Sequence, residues 1–316
     1  MNNEIFPEIV FRKEFLDFEK DPFVQAIEFI HGKNDDFKKK YNANAASNLL
    51  KYTDLRRICD ALEKDGITRF VPVKGMFVFN TIFAEYPGLR PMSDIDLLFA
   101  PEEYRKLKDF FAKHPEFPPF YGKHEFLEHS GEAVCVMSGK TLVECHSRII
   151  TVRIPGLVKE IFENIEEITD PSGNRMFVPK MEYAAIIMLM HDCTPWTLVN
   201  FSTRRLLEFY VVLSLSDMNK VIDTARRFDL DRALDMQLFM IATMLGKTFF
   251  PRNTFKVHEY FGSIERNSAG FHVKHPRKIL LKMFHGKSLP LGMRNYFVSM
   301  LRETKAGNKF IELLHR

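Results

Sequence analysis

The chain has 316 residues, of which 46% are hydrophobic and 27% charged, and it carries a formal net charge of +4. That length can bury a substantial core and allows two domains or one domain with appendages, and the composition excludes disordered, collagen-like and disulfide-scaffold classes. No run of about 18 apolar residues is present to span a bilayer, and Met1 to Pro7 lacks the positive region and apolar stretch of a secretory leader, so the expectation is a cytoplasmic protein with no membrane partner.

Residues 1–65 read as an N-terminal helical segment. Phe23 to Ile30 is amphipathic, and Asn48 through Leu62 sets Leu50, Leu55, Ile58 and Leu62 at helical intervals. Asp65-Gly66 is a helix stop that hands the chain to a strand. Residues 66–178 then alternate strands and helices. Ile67 to Val73 reads as a short strand running into Lys74-Gly75, Met76 to Glu85 has helical spacing, and Asp94 to Phe99 is an apolar strand that begins with two carboxylates. Pro101-Glu102-Glu103 is a helix start, with proline at the first position and acidic groups in the first turn. Lys140 to Ile149 reads as a further strand.

Residues 179–316 read as helical almost throughout. Met181 to Asp192, Ser202 to Leu215, Asp217 to Phe228 with Ser216 as N-cap, and Asp231 to Phe250 are the candidate helices, while Ser263 to Gly270 is the least regular stretch. The Leu, Met and Phe residues of these helices read as core. Cys59, Cys135, Cys145 and Cys193 are dispersed and form no Cys-x-x-Cys pair, which fits unpaired thiols in a reducing compartment. The whole is expected to be an α+β protein.

The chemistry concentrates in Arg90-Pro91-Met92-Ser93-Asp94-Ile95-Asp96-Leu97-Leu98-Phe99. Residues i and i+2 of a strand share a face, so Asp94 and Asp96 project together while Ile95 and Leu97 pack behind them. Carboxylates that close repel one another unless a cation lies between them, and hard oxygen ligands suit Mg²⁺ or Mn²⁺. On the Lys140 to Ile149 strand, Glu144, His146 and Arg148 share one face. The same alternation also describes a strand with one wet face, and a lone Asp-x-Asp also occurs in surface turns. His146 can ligate a metal, contact phosphate, act as a general acid, or orient a neighbouring carboxylate. The Lys123 to His129 cluster, with His124 and His129, has the spacing of a mixed-charge strand rather than of a zinc site.

These residues carry a family resemblance. Lys-Gly before a helix, then Tyr-Pro-Gly-Leu-Arg-Pro-Met-Ser-Asp-Ile-Asp-Leu-Leu, then a strand ending Glu-x-His resembles the uncharacterised bacterial nucleotidyltransferase family of the polymerase-β-like superfamily. The match is close over Lys74 to Phe99 and moderate over Leu142 to Arg148. The resemblance implies a nucleotidyltransferase-like mixed sheet between flanking helical segments. It also implies a Gly turn that holds nucleotide phosphates at Gly75, metal ligands at Asp94 and Asp96, and a third carboxylate at Glu144. The expected activity is metal-dependent transfer of a nucleoside monophosphate from a nucleoside triphosphate to a hydroxyl acceptor, with Lys74, Arg90 and His146 also at the nucleotide. Two departures from the superfamily stand out: Gly75 is followed by Met76, which donates no hydrogen bond to phosphate, and Tyr86 to Pro91 lengthens the approach to the acidic strand.

From Lys274 to Arg316 ten Lys or Arg face only Glu303 and Glu312. Such a tail can steer polyanions, or it is a solvated helical face. His191, Arg204 and Arg205 either lean over the nucleotide or join helices through ion pairs. The acceptor is expected to be a small molecule, RNA or protein. The alternative is a catalytically silent nucleotide- or nucleic-acid-binding protein of the same fold.

Overall fold

A computed structural model describes residues 22–32, 35–120, 134–149, 154–170, 172–192, 200–201, 203–244, 264–267 and 270–273. The chain divides into two compact units, one spanning Phe29–Ala184 and the other combining Met1–Glu28 with Ala185–Arg316.

The described residues begin with α1 (Pro22–Ile30), a 3-10 turn (Asp35–Phe37) and the long α2 (Lys38–Lys64). There follow β1 (Phe70–Val73), α3 (Lys74–Thr81), β2 (Asp94–Phe99), α4 (Pro101–Tyr104), α5 (Leu107–Lys113) and the hairpin β3 (Val134–Ser138) and β4 (Thr141–His146). Next come α6 (Leu157–Glu163), the hairpin β5 (Ile165–Thr169) and β6 (Arg175–Pro179), and α7 (Met181–Asp192). After these lie β7 (Asn200–Phe201), α8 (Thr203–Ser214), α9 (Met218–Arg227), α10 (Asp231–Met244), β8 (Ile264–Asn267) and β9 (Gly270–Val273). The result is the expected α+β architecture.

The main sheet has the order β1-β2-β4-β3, with β2 antiparallel to β1 and parallel to β4. The inner place of β2 follows from its sequence. Ile95, Leu97, Leu98 and Phe99 are all fully buried, so this strand is covered on both faces and takes an inner position. Pro72 cannot donate to a ladder, and it stands accordingly in the edge strand β1. Pro101 opens α4 at its first turn, as its fixed φ and missing N–H favour.

Helix α2 turns Asn48, Tyr52, Leu55, Ile58, Cys59 and Leu62 inward. Leu50, expected on that face, is 69% exposed. It lies two residues before Tyr52, about 200° away around a helix, so the two cannot share a side. The β3–β4 hairpin is fastened to α2 through Asp54: Thr141 Oγ1 donates to its Oδ2 at 2.6 Å and Ser138 Oγ to its backbone carbonyl at 2.8 Å. Gly139 turns this hairpin with a φ of +59°, and a Cβ there would lie 2.2 Å from Asp54 Oδ1.

In the second unit, the N-cap of α9 is Asp217 rather than Ser216. The Asp217 carboxylate accepts from the Asn219 and Lys220 amides at 3.0 and 3.4 Å, whereas Ser216 Oγ donates back to the Val212 carbonyl at 2.7 Å. Arg204 and Glu208, one turn apart on α8, form an ion pair at 3.5 Å. Residues 264–267 and 270–273, in the stretch expected to be least regular, form paired strands, and the sheet order is β7-β9-β8. Among the described residues no helix is long and apolar enough to cross a membrane, and the buried Cys59 and Cys145 are free thiols. The Lys123 to His129 cluster and the basic segment from Lys274 lie outside the described residues.

Candidate functional site

Strand register assembles the site. Val73 of β1 pairs with Asp96 of β2, and Asp96 pairs with Glu144 of β4, so one row crosses three strands. Directly opposed residues of paired strands point to the same face. Lys74 follows Val73 at once and opens α3 with a φ of +53°. A non-glycine residue in this left-handed region carries strain of about 1–2 kcal/mol, and such strain clusters where a side chain has to be aimed. Here it accompanies an ammonium that reaches Asp96.

Lys74 Nζ donates to Asp96 Oδ1 at 2.5 Å. His146, two residues beyond Glu144, sets Nε2 at 2.8 Å from the same Oδ1 and 3.3 Å from Glu144 Oε2. Both of those oxygens are carboxylate acceptors, so this nitrogen carries the hydrogen. Asp96, Glu144 and His146 each offer one ligand atom, and the three atoms lie within 4.8 Å of one another. Two hard oxygens and one imidazole nitrogen are a fitting donor set for a divalent cation, with carboxylates suited to Mg²⁺ and Mn²⁺. Asp94, half-buried at the start of β2, accepts from Ser93 Oγ at 2.9 Å and adds its negative field to that acting on Lys74.

The electrostatics are those of opposite charges confined together. Burial pushes the Asp96 carboxyl up, but the Lys74 charge and the His146 hydrogen bond outweigh it and hold it well below the ordinary carboxylate range. Burial pushes the Lys74 ammonium down, and the Asp96 charge and hydrogen bond more than restore it. For His146, burial and the Lys74 charge act downward, while hydrogen bonds to Asp96 and Glu144 bring the net shift above the usual 6.5. The cluster therefore holds the Asp96 carboxylate against the Lys74 ammonium and a histidine N–H.

Gly75 and Arg90 form the second part. A Cβ at Gly75 would lie 2.1 Å from Arg90 Nη1, so glycine is what lets the guanidinium rest against the first turn of α3. Lys74, Asp96, Glu144 and His146 thus meet over one face of the main sheet, Asp94 lies on that face but outside the group of three donor atoms, and Gly75 and Arg90 adjoin Lys74 at the start of α3. The sequence pattern did not reveal the Lys74–Asp96 pair, because it depends on a β1–β2 pairing between segments 22 residues apart. Nor did it single out Asn48, although an Asn at helical spacing with Tyr52, Leu55 and Leu62 was a readable sign of a polar group facing inward.

A mixed sheet with acidic groups on the central strand, an acidic partner on the parallel neighbour and a glycine at the start of the adjoining helix is a nucleotidyltransferase-like arrangement. A family model described as uncharacterised nucleotidyltransferase matches residues 33–246. That span is more than half of the chain, and the protein belongs to this family. No curated protein matches it.

Proposed function

We propose that the protein is a metal-dependent nucleotidyltransferase that moves a nucleoside monophosphate group from a nucleoside triphosphate to a hydroxyl acceptor. The observation that carries this reading is the cluster of Lys74, Asp96, Glu144 and His146, which meet from the start of α3, from β2 and from β4 in a chain of this family. Asp94, Asp96 and Glu144 are the metal-holding carboxylates, with His146 a further donor or the group that orients them. Mg²⁺ or Mn²⁺ bound there would neutralise charge on the transferring phosphoryl group and its entering and leaving oxygens.

The chain's own groups do the rest. The acceptor oxygen attacks the α-phosphorus, the bond from that phosphorus to the bridging oxygen breaks, and pyrophosphate leaves with the electron pair. Glu144 is the base that receives the acceptor's proton. Lys74 meets the phosphate oxygens as a point charge and Arg90 through its planar fork, each stabilising negative charge on the leaving side. The acceptor class is a small hydroxylated molecule, an RNA end or a protein hydroxyl.

One feature favours the second reading, a catalytically silent nucleotide binder of the same fold. Met76, where the superfamily turn offers a hydrogen-bond donor, is buried and contributes none to phosphate. Calorimetric titration with a non-hydrolysable nucleoside triphosphate analogue, with and without Mg²⁺ or Mn²⁺, tests the proposal. Metal-dependent binding by the wild type that disappears in a still-folded Asp94→Asn/Asp96→Asn variant is the expected result. Absent or metal-independent binding by the wild type contradicts it.

A further inference from the structure

Asn48 lies on the inward face of α2 with no solvent exposure. Its amide makes three hydrogen bonds, all to one loop. Nδ2 donates to the Pro87 carbonyl at 2.7 Å and to the Arg90 carbonyl at 2.6 Å, and Oδ1 accepts from the Met92 amide at 3.3 Å. An Asn side chain owns two donor hydrogens and one acceptor oxygen, so both hydrogens and the oxygen are committed here. The loop joins α3 to β2 and belongs to no sheet ladder.

Two neighbours of Asn48 on α2 close the same contact. Asn44 Nδ2 donates to the Gly88 carbonyl at 3.4 Å. Gly88 comes so near α2 that a Cβ on it would be 2.3 Å from the Tyr41 carbonyl oxygen. The backbone is therefore held before Arg90, at Arg90 and two residues after it. Arg90 in turn extends its guanidinium over Gly75, and Asp94 follows two residues beyond Met92. Helix packing alone would be served by Leu at this position, without the cost of burying an amide. What Asn supplies and Leu cannot is a fixed path for a loop whose own carbonyls and amide would otherwise go unsatisfied.

We propose that Asn48 is a positioning residue: it clamps the loop 87–92 so that the Arg90 guanidinium is held over the first turn of α3, ready for the triphosphate. The inference rests on the phosphate role assigned to Arg90 above. Its first test needs no nucleotide. The rate at which Arg90 is modified by phenylglyoxal is followed by peptide mass spectrometry in the full chain, comparing wild type with Asn48→Ala and with Asn48→Asp. The second variant keeps the shape and the acceptor for Met92 but loses both donors. Modification about tenfold faster in either folded variant is expected, the scale of one or two net hydrogen bonds released locally. An unchanged rate in a folded variant overturns the clamp. Hydrogen exchange of the wild type guards against variants that do not fold: slow exchange at the Met92 amide is expected, and free exchange there overturns the inference as well.

The second test asks whether Asn48 acts through Arg90. Affinity for the triphosphate analogue with Mg²⁺ is measured for Asn48→Ala, Arg90→Ala and the double variant. Each single change is expected to weaken binding by about tenfold and the double by no more than Arg90→Ala alone, because the two residues form one device. Mn²⁺ affinity without nucleotide stays at the wild-type value in Asn48→Ala. Additive losses in the double variant overturn the proposal, since a merely structural role would add to any other loss. A wild type that takes up no triphosphate removes the nucleotidyltransferase reading and the purpose of the clamp, while the Arg90 modification rate still decides whether the clamp exists.

Discussion

Two aspartates of the Phe29–Ala184 unit are about equally buried, Asp96 at 5% exposure and Asp170 at 4%, yet their surroundings differ in kind. Asp170 sits in the turn between β5 and β6. Its Oδ1 accepts from the Ser172 and Asn174 amides at 2.8 and 2.9 Å, and its Oδ2 accepts from the Tyr52 hydroxyl. Burial and that bond to Asp170 push the Tyr52 phenol up to about 12, so it stays a donor at any ordinary pH. These partners are backbone amides and a phenol in fixed places. Asp96 has instead a lysine and a histidine brought from two other elements, with a second carboxylate within reach of the histidine. A turn needs an acceptor that never leaves, whereas a site for exchangeable cations needs partners that a cation can replace. The contrast gives Asp170 a structural role and supports the metal-holding role proposed for Asp96.

The largest expected contrast comes from changing each aspartate. Asp96→Asn should weaken Mn²⁺ binding by more than about 100-fold. Asp170→Ala should leave Mn²⁺ binding in place and lower unfolding free energy by about 2–4 kcal/mol, from two lost turn bonds and an orphaned phenol. Calorimetric titration and denaturant unfolding read the two effects, and a swap of the outcomes would break the comparison. Next, Lys74→Met removes the resident cation from Asp96. Its Mn²⁺ affinity should rise by about tenfold as like-charge repulsion is lost, while affinity for the triphosphate analogue falls; an Mn²⁺ affinity that drops instead would mark Lys74 as a support for the ligands rather than a competitor.

A smaller effect is expected from Gly75→Ala. The added methyl displaces the Arg90 guanidinium, the far end of a flexible side chain, so triphosphate affinity should fall while stability changes by less than about 1 kcal/mol, as titration and thermal melts will register. The smallest concerns His114, remote from both aspartates in the chain. Its Nδ1 lies 2.8 Å from Glu116 Oε1 and its Nε2 3.3 Å from Asp65 Oδ2. The Glu116 hydrogen bond first, against burial and with help from Asp65, raises its pKa above the usual 6.5. A raised folded-state pKa means the contribution is full below about pH 6.5 and is lost as pH climbs through the folded value. Unfolding measured from pH 5 to 9 should show a slight decline through this range that His114→Gln flattens.

The sequence made the site legible strand by strand. Period-two alternation put Asp94 with Asp96 and Glu144 with His146, and the observed β2 and β4 carry those pairs as residues of single strands. Local pattern says nothing about which strands meet, so the row from Val73 through Asp96 to Glu144 needed the fold itself. The same limit explains Leu50 and Asn48. Helical spacing places Leu50 with the inward apolar residues and says nothing of the Asn48 amide, whereas the loop 87–92 rewards an inward donor with two carbonyls. Ser216 and Asp217 were a choice between adjacent capping residues, which spacing alone cannot make. The strands β8 and β9 are short, and their pairing is again a non-local choice.

The most direct test of the central claim is electron paramagnetic resonance of Mn²⁺ titrated into the full chain without nucleotide, in the wild type, Asp96→Asn, Glu144→Gln and Asp170→Asn. Saturable binding to the wild type and to Asp170→Asn, with loss in Asp96→Asn and Glu144→Gln, is the result predicted. Equal binding by all four proteins, or none by the wild type, would contradict a divalent site at Asp96 and Glu144.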